Sequence, residues 1–254
     1  MAGHNKWSKV KHIKARVDVI KGRVFSKCAH EIALAARSGG GDPGMNARLR
    51  GAIDNAKAVS MPKDNIERAI KKGLGELGGN AIQEVTYEAY GPGATAFIIE
   101  MATDNLNRSA ADLRAILSKN DGTIATPGSV TYQFDRRGEI HIPAAGITTD
   151  EFMEIAINAG ADDALPSEDA DDDPHVLLTS PTTLAAAATR LRDADIPIQS
   201  EKLVYRPQTV SVVDDLDTAR RVMKLHDLFD DYQDTLAVFT NFDVAEELLP
   251  ELDG

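Results

Sequence analysis

The feature that most constrains this chain is a change of hydrophobic period near residue 80. In its opening part Val10, Ile13, Val17, Ile20, Val24, Cys28, Ile32 and Ala36 step by three or four, the spacing that lays one apolar stripe along a helix. From about residue 81 the pattern alternates instead. EVTYEAY and ATAFIIEMAT read as strands joined at GPG, because period-two runs bounded by Gly and Pro are hairpin signals. A helical stripe does not serve as a half-buried strand, nor alternation as a helix face. The chain is therefore expected to hold a helical part followed by an α+β part.

Within the helical part, Gly22 interrupts the stripe and is expected to divide a short first helix from a firmer one over 23–37. SGGGDPG at 38–44 reads as a stop and a restart, with glycine as the C-terminal cap and Asp42–Pro43 opening the next element. NARLRGAIDNAKAVS then puts Leu49, Ile53, Ala56 and Val59 on one face. In MPKDNIERAIKKG, Asp64 and Glu67 have capping-box spacing, Lys71 and Lys72 complement the helix dipole, and Gly73 ends the helix. GLGELGGN reads as a linker, so residues 1–80 are expected to form a helical domain.

Further on, NRSAADLRAILSKNDG reads as a helix, and SVTYQF and GEIHI as two strands turned by DRRG. The segment 135–204 follows the order β-α-β-β-α-β, a split-βαβ or ferredoxin-like pattern. The flanking pieces, 81–134 and 205–254, are expected to make a similar unit into which 135–204 is inserted. The expected fold class is α+β and multidomain: a helical N-terminal domain plus two ferredoxin-like domains. A tandem arrangement is the alternative, because strand pairing is not legible here.

Charge is divided as sharply as period. Residues 1–80 carry sixteen Lys and Arg against seven Asp and Glu, a balance of +9. The remainder carries twelve against thirty-three, a balance of −21. Such a split points to a basic module for polyanions on an acidic body. The cations of the first helix flank its apolar stripe: Lys9, Arg16, Arg23 and Lys27 on one side, Lys11, Lys14 and Lys21 on the other. Stems can then lie along the packed seam while the charged heads face outward. Lys6 and the chain's single tryptophan, Trp7, precede them. Trp7 fits two roles, a stacking platform for an unpaired base or a packing anchor under the helices. Arg48 and Arg50 have the planar donor geometry that phosphates accept. The candidate nucleic-acid contacts are thus Lys6, Trp7, Lys9, Lys11, Lys14, Arg16, Lys21, Arg23, Lys27, Arg48 and Arg50.

Other chemistries find little support. GGGDPG lacks the Lys-Ser/Thr of a phosphate-binding loop, and six scattered histidines show no metal-ligand spacing. Cys28 lies on the apolar stripe and reads as core filling. DDALPSEDADDD has seven acids in twelve residues but neither the Gly nor the terminal Glu of a calcium loop. It reads as a solvated acidic loop. No nucleophile, base and orienter stand together, so neither an enzyme nor a cofactor is expected. No apolar run is long enough to span a membrane. A single cysteine fits a cytoplasmic location.

Five motifs in order, MAGHNKW, RLRGAIDNAK, MPKDNIERAIKKG, YEAYGPG and TDNLNR, resemble the YebC/PmpR family, which includes the mitochondrial translational activator of cytochrome oxidase subunit one. The likeness departs at Asn5, where Ser is expected, and in SKVKHIKARVDVIKGR, where more Arg, Lys and Gln are expected. The resemblance implies a three-domain, cytoplasmic, non-enzymatic protein associated with nucleic acid. It allows two activities: a DNA-binding transcriptional regulator, or a ribosome-associated translation factor that eases synthesis of proline-containing stretches. The implied partners are DNA or ribosomal RNA, with ribosomal proteins in the second case. A protein-interaction module, whose basic part docks an acidic partner, is the third reading.

Overall fold

The structure, a computed structural model, describes residues 17–167 and 173–252, and leaves the side chains of 17–21 and 23 undescribed. The chain divides into two compact units, Met1–Gln133 with Pro207–Gly254, and Phe134–Arg206. Three helices come first and strands and helices are mixed after them, an α+β fold.

The first unit opens with three helices, α1 (Val17–Gly39), α2 (Ala47–Ala58) and α3 (Lys63–Gly73). Their shared core holds Ile32, Ala35, Leu49, Ile53, Ala56 and Ile66, with Cys28 packed at its edge. The expected break at Gly22 does not occur, because α1 runs through it. A lone glycine costs a helix about 1 kcal/mol, which the packing of the rest of α1 carries. The expected capping box at Asp64 and Glu67 is also absent. Pro62 occupies the N-cap of α3, and no side chain closes it.

The α1–α2 junction rests on one side chain. Asn46 donates from Nδ2 to the carbonyls of Ala35 (2.7 Å) and Gly40 (2.8 Å), and its Oδ1 accepts from Leu49 N–H (3.1 Å). It closes the end of α1 and caps the start of α2 at once. Gly73 serves packing as well as termination. A Cβ there would lie 2.2 Å from the carbonyl oxygen of Ala33, so glycine allows α3 to lie on α1.

After the helices comes a sheet of strand order β3-β1-β2-β8, where β1 is Gln83–Tyr90, β2 Ala96–Thr103, β3 Thr123–Ile124 and β8 Thr235–Thr240. β2 is central and nearly continuous in apolar residues because it is covered on both sides. Phe97, Ile99 and Met101 join the core with α4 (Leu106–Ser118) and α7 (Leu216–Asp230). Ala102 packs with Ala33 and Leu34 of α1. Phe97 and Phe229 meet edge to face, with ring centroids 5.5 Å apart. The buried Glu88 carboxylate ties the loop after β3 to the sheet, accepting N–H bonds from Gly128, Val130 and Thr131. Burial opposes its charge, but those donors prevail and hold its pKa below the ordinary carboxylate value.

The second unit contains β4 (Phe134–Ile142), α5 (Thr149–Ala159), β5 (Asp163–Leu165), β6 (His175–Thr179), α6 (Leu184–Asp193) and β7 (Ser200–Pro207). Its strand order, β5-β6-β4-β7, places the first strand of the unit between its third and fourth, as in a split βαβ fold. The expected turn at DRRG is absent: Phe134–Ile142 is one strand, and SVTYQF contributes no strand of its own. Gly138 misled the sequence reading. A Cβ there would lie 2.2 Å from Thr179 Oγ1 and 2.8 Å from Leu184 Cβ, so the glycine permits close approach within a strand.

Candidate nucleic-acid interface

The sequence-predicted contacts fall into three groups. Lys6, Trp7, Lys9, Lys11, Lys14 and Arg16 lie outside the described residues. Lys21 and Arg23 belong to α1, without described side chains. Lys27, Arg48 and Arg50 can be placed atom by atom, and each already has partners. Lys27 Nζ meets Asp230 at 2.6 Å. Arg48 meets Glu31 at 2.9 Å and Glu84 at 3.4 Å. Arg50 donates from Nε to Pro43 O (3.0 Å) and from Nη2 to Gly44 O (2.9 Å).

These pairs have a pattern. Lys27, Arg48 and Lys72 join the helical head to carboxylates of the sheet part: Asp230, Glu84 and, at 3.8 Å, Asp104. The Arg37 guanidinium donates to the Ile82 carbonyl at the same seam. Lys57 and Lys63 meet Asp54 and Glu67 on their own helices. Two exposed cations of α3, Arg68 and Lys71, meet no carboxylate among the described residues. Sequence reading gave Lys71 a dipole role and passed over Arg68. The missed signal was their spacing of three, which puts both on one helix face.

Where the head meets the sheet there is a polar cleft of about 210 Å³, lined by Ser26, His30, Lys72, Ile82, Asp104, Arg108, Gln233 and Asp234. Asp234 is its organising group. Asp234 Oδ2 accepts from Arg108 Nη2 (2.7 Å), Ser109 Oγ (2.7 Å) and Thr103 Oγ1 (2.9 Å). Burial opposes the carboxylate charge, but the Arg108 guanidinium and the two hydroxyls outweigh it and lower the pKa. At His30 burial prevails instead: it disfavours the charged form and lowers the pKa. Two cations face two carboxylates in this cleft, so it has no net attraction for phosphate. The arrangement is a structural joint.

The second unit has a comparable cluster. Glu139 Oε1 lies 2.6 Å from His141 Nε2, and the carboxylate meets Lys202 (3.4 Å) and Arg206 (3.3 Å). Burial works against its charge, yet these partners hold its pKa down to about 2. Among the described residues no cluster of His, Cys, Asp and Glu could hold a metal, and no helix is long and apolar enough to cross a membrane.

Taken together, the chain is an α+β protein in which a base-rich helical head is docked by ion pairs on an acid-rich sheet body, with a split-βαβ unit inserted in that body. It belongs to the TACO1/YebC family: residues 5–76 match the family's N-terminal domain and residues 82–242 its second and third domains. A relative from Akkermansia muciniphila is 57% identical over 99% of this chain and 100% of its own length. It is called a probable transcriptional regulatory protein. One from Chlorobium phaeobacteroides, similarly named, is 44% identical with both chains fully covered. The crystal structure of a conserved hypothetical protein from Aquifex aeolicus superposes with a TM-score of 0.84 at 39% identity, covering 93% of this chain and 96% of that one.

Proposed function

We propose that this protein is a non-enzymatic, nucleic-acid-binding regulator whose helical head grips the phosphate backbone, with DNA as its target. The observation that carries the reading is the +9 balance of residues 1–80 against −21 for the rest. Phosphate neutralisation by Lys and Arg, with release of counterions, supplies most sequence-independent affinity. The names of the relatives support a role in transcription. A ribosomal RNA target is the second reading. The acidic body favours it, because a body of this charge is repelled by flanking phosphate and attracted to basic ribosomal proteins.

Reversing Lys11, Lys14 and Lys21 to Glu abolishes binding while leaving thermal stability nearly intact. Fluorescence anisotropy with DNA and RNA oligonucleotides, beside a melting curve, checks this. Undiminished binding overturns the reading. Crosslinking in cells, followed by sequencing of both nucleic acids, decides the target: enrichment at promoters supports DNA, and enrichment in ribosomal RNA supports the second reading.

A further inference from the structure

The outward face of α7 is charged against the preference of the helix itself. Its last turn carries Asp227 and Asp230, its C-cap is Asp231, and no base stands in that turn. Acids at a helix C-terminus oppose the macrodipole. Lys27 of the head answers Asp230 at 2.6 Å. Asp227 and Asp231 are exposed, and with Arg220, Met223, Lys224 and Leu228 they line an open groove of about 320 Å³. Glu251 and Leu252 of the short helix α8 (Leu249–Leu252) complete the lining. Asp227 Oδ1 stands 3.9 Å from His226 Nδ1. Arg220 donates from Nη2 to the Glu251 carbonyl at 3.3 Å, and Lys224 meets no carboxylate among the described residues.

We infer that this face of α7 is the contact through which two copies of the chain associate, their α7 helices antiparallel about a twofold axis. The face is self-complementary in that arrangement. Two bases four residues apart, Arg220 and Lys224, are followed by two acids four residues apart, Asp227 and Asp231. An axis passing midway between positions 225 and 226 sets Arg220 level with Asp231 of the other copy, and Lys224 level with Asp227 of the other copy. Symmetry makes each pair occur twice. A parallel pairing would set like charges level with one another, which is unfavourable. Met223 and Leu228, both half-buried, stand equally far from the axis, one on each margin of the charged stripe, and shield the ion pairs from water. Cations of the other copy also approach the C-terminal end of α7 and complement the dipole that its own acids oppose. The occupant is a second copy because the same sequence, read backward, supplies the matching order of charges. So polar a face suits a weak, salt-sensitive dimer and not an obligate one.

Sedimentation velocity of the full chain between about 10 μM and 1 mM, at about 50 and 200 mM salt, reads the association. The unmodified chain moves from monomer toward dimer as concentration rises, and less so at the higher salt. Lys224→Asp alone and Asp227→Lys alone each set like charges level with one another and weaken association about tenfold. The double variant, Lys224→Asp with Asp227→Lys, exchanges the two charges and restores association to within about threefold of the unmodified chain. Melting curves confirm that all three variants fold, as expected for exposed positions. A chain that stays monomeric throughout, single reversals without effect, or a double variant as weak as either single overturns the contact. Reversing Lys11, Lys14 and Lys21 to Glu leaves the dimer in place. Loss of the dimer there, with the α7 reversals silent, assigns association to the basic segment and overturns the contact as well. None of these readouts involves nucleic acid, so their failure leaves the proposed function standing.

Discussion

The basic residues of the head and of the body are paired to a similar degree, but for different ends. In the body Arg108, Arg137, Arg192, Lys202, Arg206 and Arg221 each meet a carboxylate, while Arg114, Lys119 and Lys224 meet none among the described residues. In the head the pairs cluster at the seam and along helix flanks, and Arg68 and Lys71 meet no carboxylate among the described residues. Supply does not set the degree of pairing, because residues 1–80 have more than two bases for every acid and the remainder more than two acids for every base. Charge count alone is therefore a poor guide to which cations are available. Lys27 and Arg48 looked like contacts in the sequence, but in the fold they fasten the head to its support.

The most damaging way to break this arrangement is to remove the body's most buried acid. Asp234→Ala leaves Arg108 with only its longer ion pair to Asp104 (3.3 Å) and removes the shared acceptor of the buried hydroxyls of Ser109 and Thr103. The expected cost is about 3 kcal/mol, since a guanidinium and two buried hydroxyls lose one charged acceptor together. Urea unfolding measures it, and a loss below about 1 kcal/mol would mean that solvent already satisfies the cleft. The same group sets a pH dependence. Its folded-state pKa lies below the unfolded value of about 3.9. Its stabilisation is therefore complete above that value and fades as pH falls through the lower, folded-state pKa. Glu139 acts in the same direction, its contribution fading from about 4.3, the unfolded value, down to about 2. The Asp234→Ala protein should show a shallower acid limb than the unmodified chain.

Periodicity made the helical head, the sheet body and the order of the inserted unit legible in sequence, because each element buries one face. The stripe through Ile32 and Ala36 does line the head's core, and the β2 run is central as its apolar density implies. What escaped depends on partners remote in the chain. Arg108 and Asp234 stand 126 positions apart, and neither is flagged by its own neighbours. Asn46 reads as an ordinary helix cap, yet it also holds the preceding helix by the carbonyls of Ala35 and Gly40. Glycines are the most ambiguous letters. At Gly138 sequence does not distinguish a turn from a place where a neighbour comes too close for a Cβ, whereas Gly22 reads as a break but is carried through by the packing of the rest of its helix.

That ambiguity gives the smallest of the predicted effects and a sharp contrast within the head. Gly73 and Gly22 both belong to its helices, but their surroundings are opposite. At Gly73 an added methyl would meet the Ala33 carbonyl at 2.2 Å, whereas at Gly22 nothing among the described residues lies within 4 Å. Gly73→Ala must push α3 off α1 and is expected to cost about 1–3 kcal/mol. Gly22→Ala meets no obstacle and lowers the entropy of the unfolded chain, so it should stabilise by about 0.5–1 kcal/mol. Parallel denaturant titrations of the two variants read both signs. Equal destabilisation would mean that α1 does not persist as a helix through Gly22, and the head would then have to be treated as two helical pieces with a joint at that glycine.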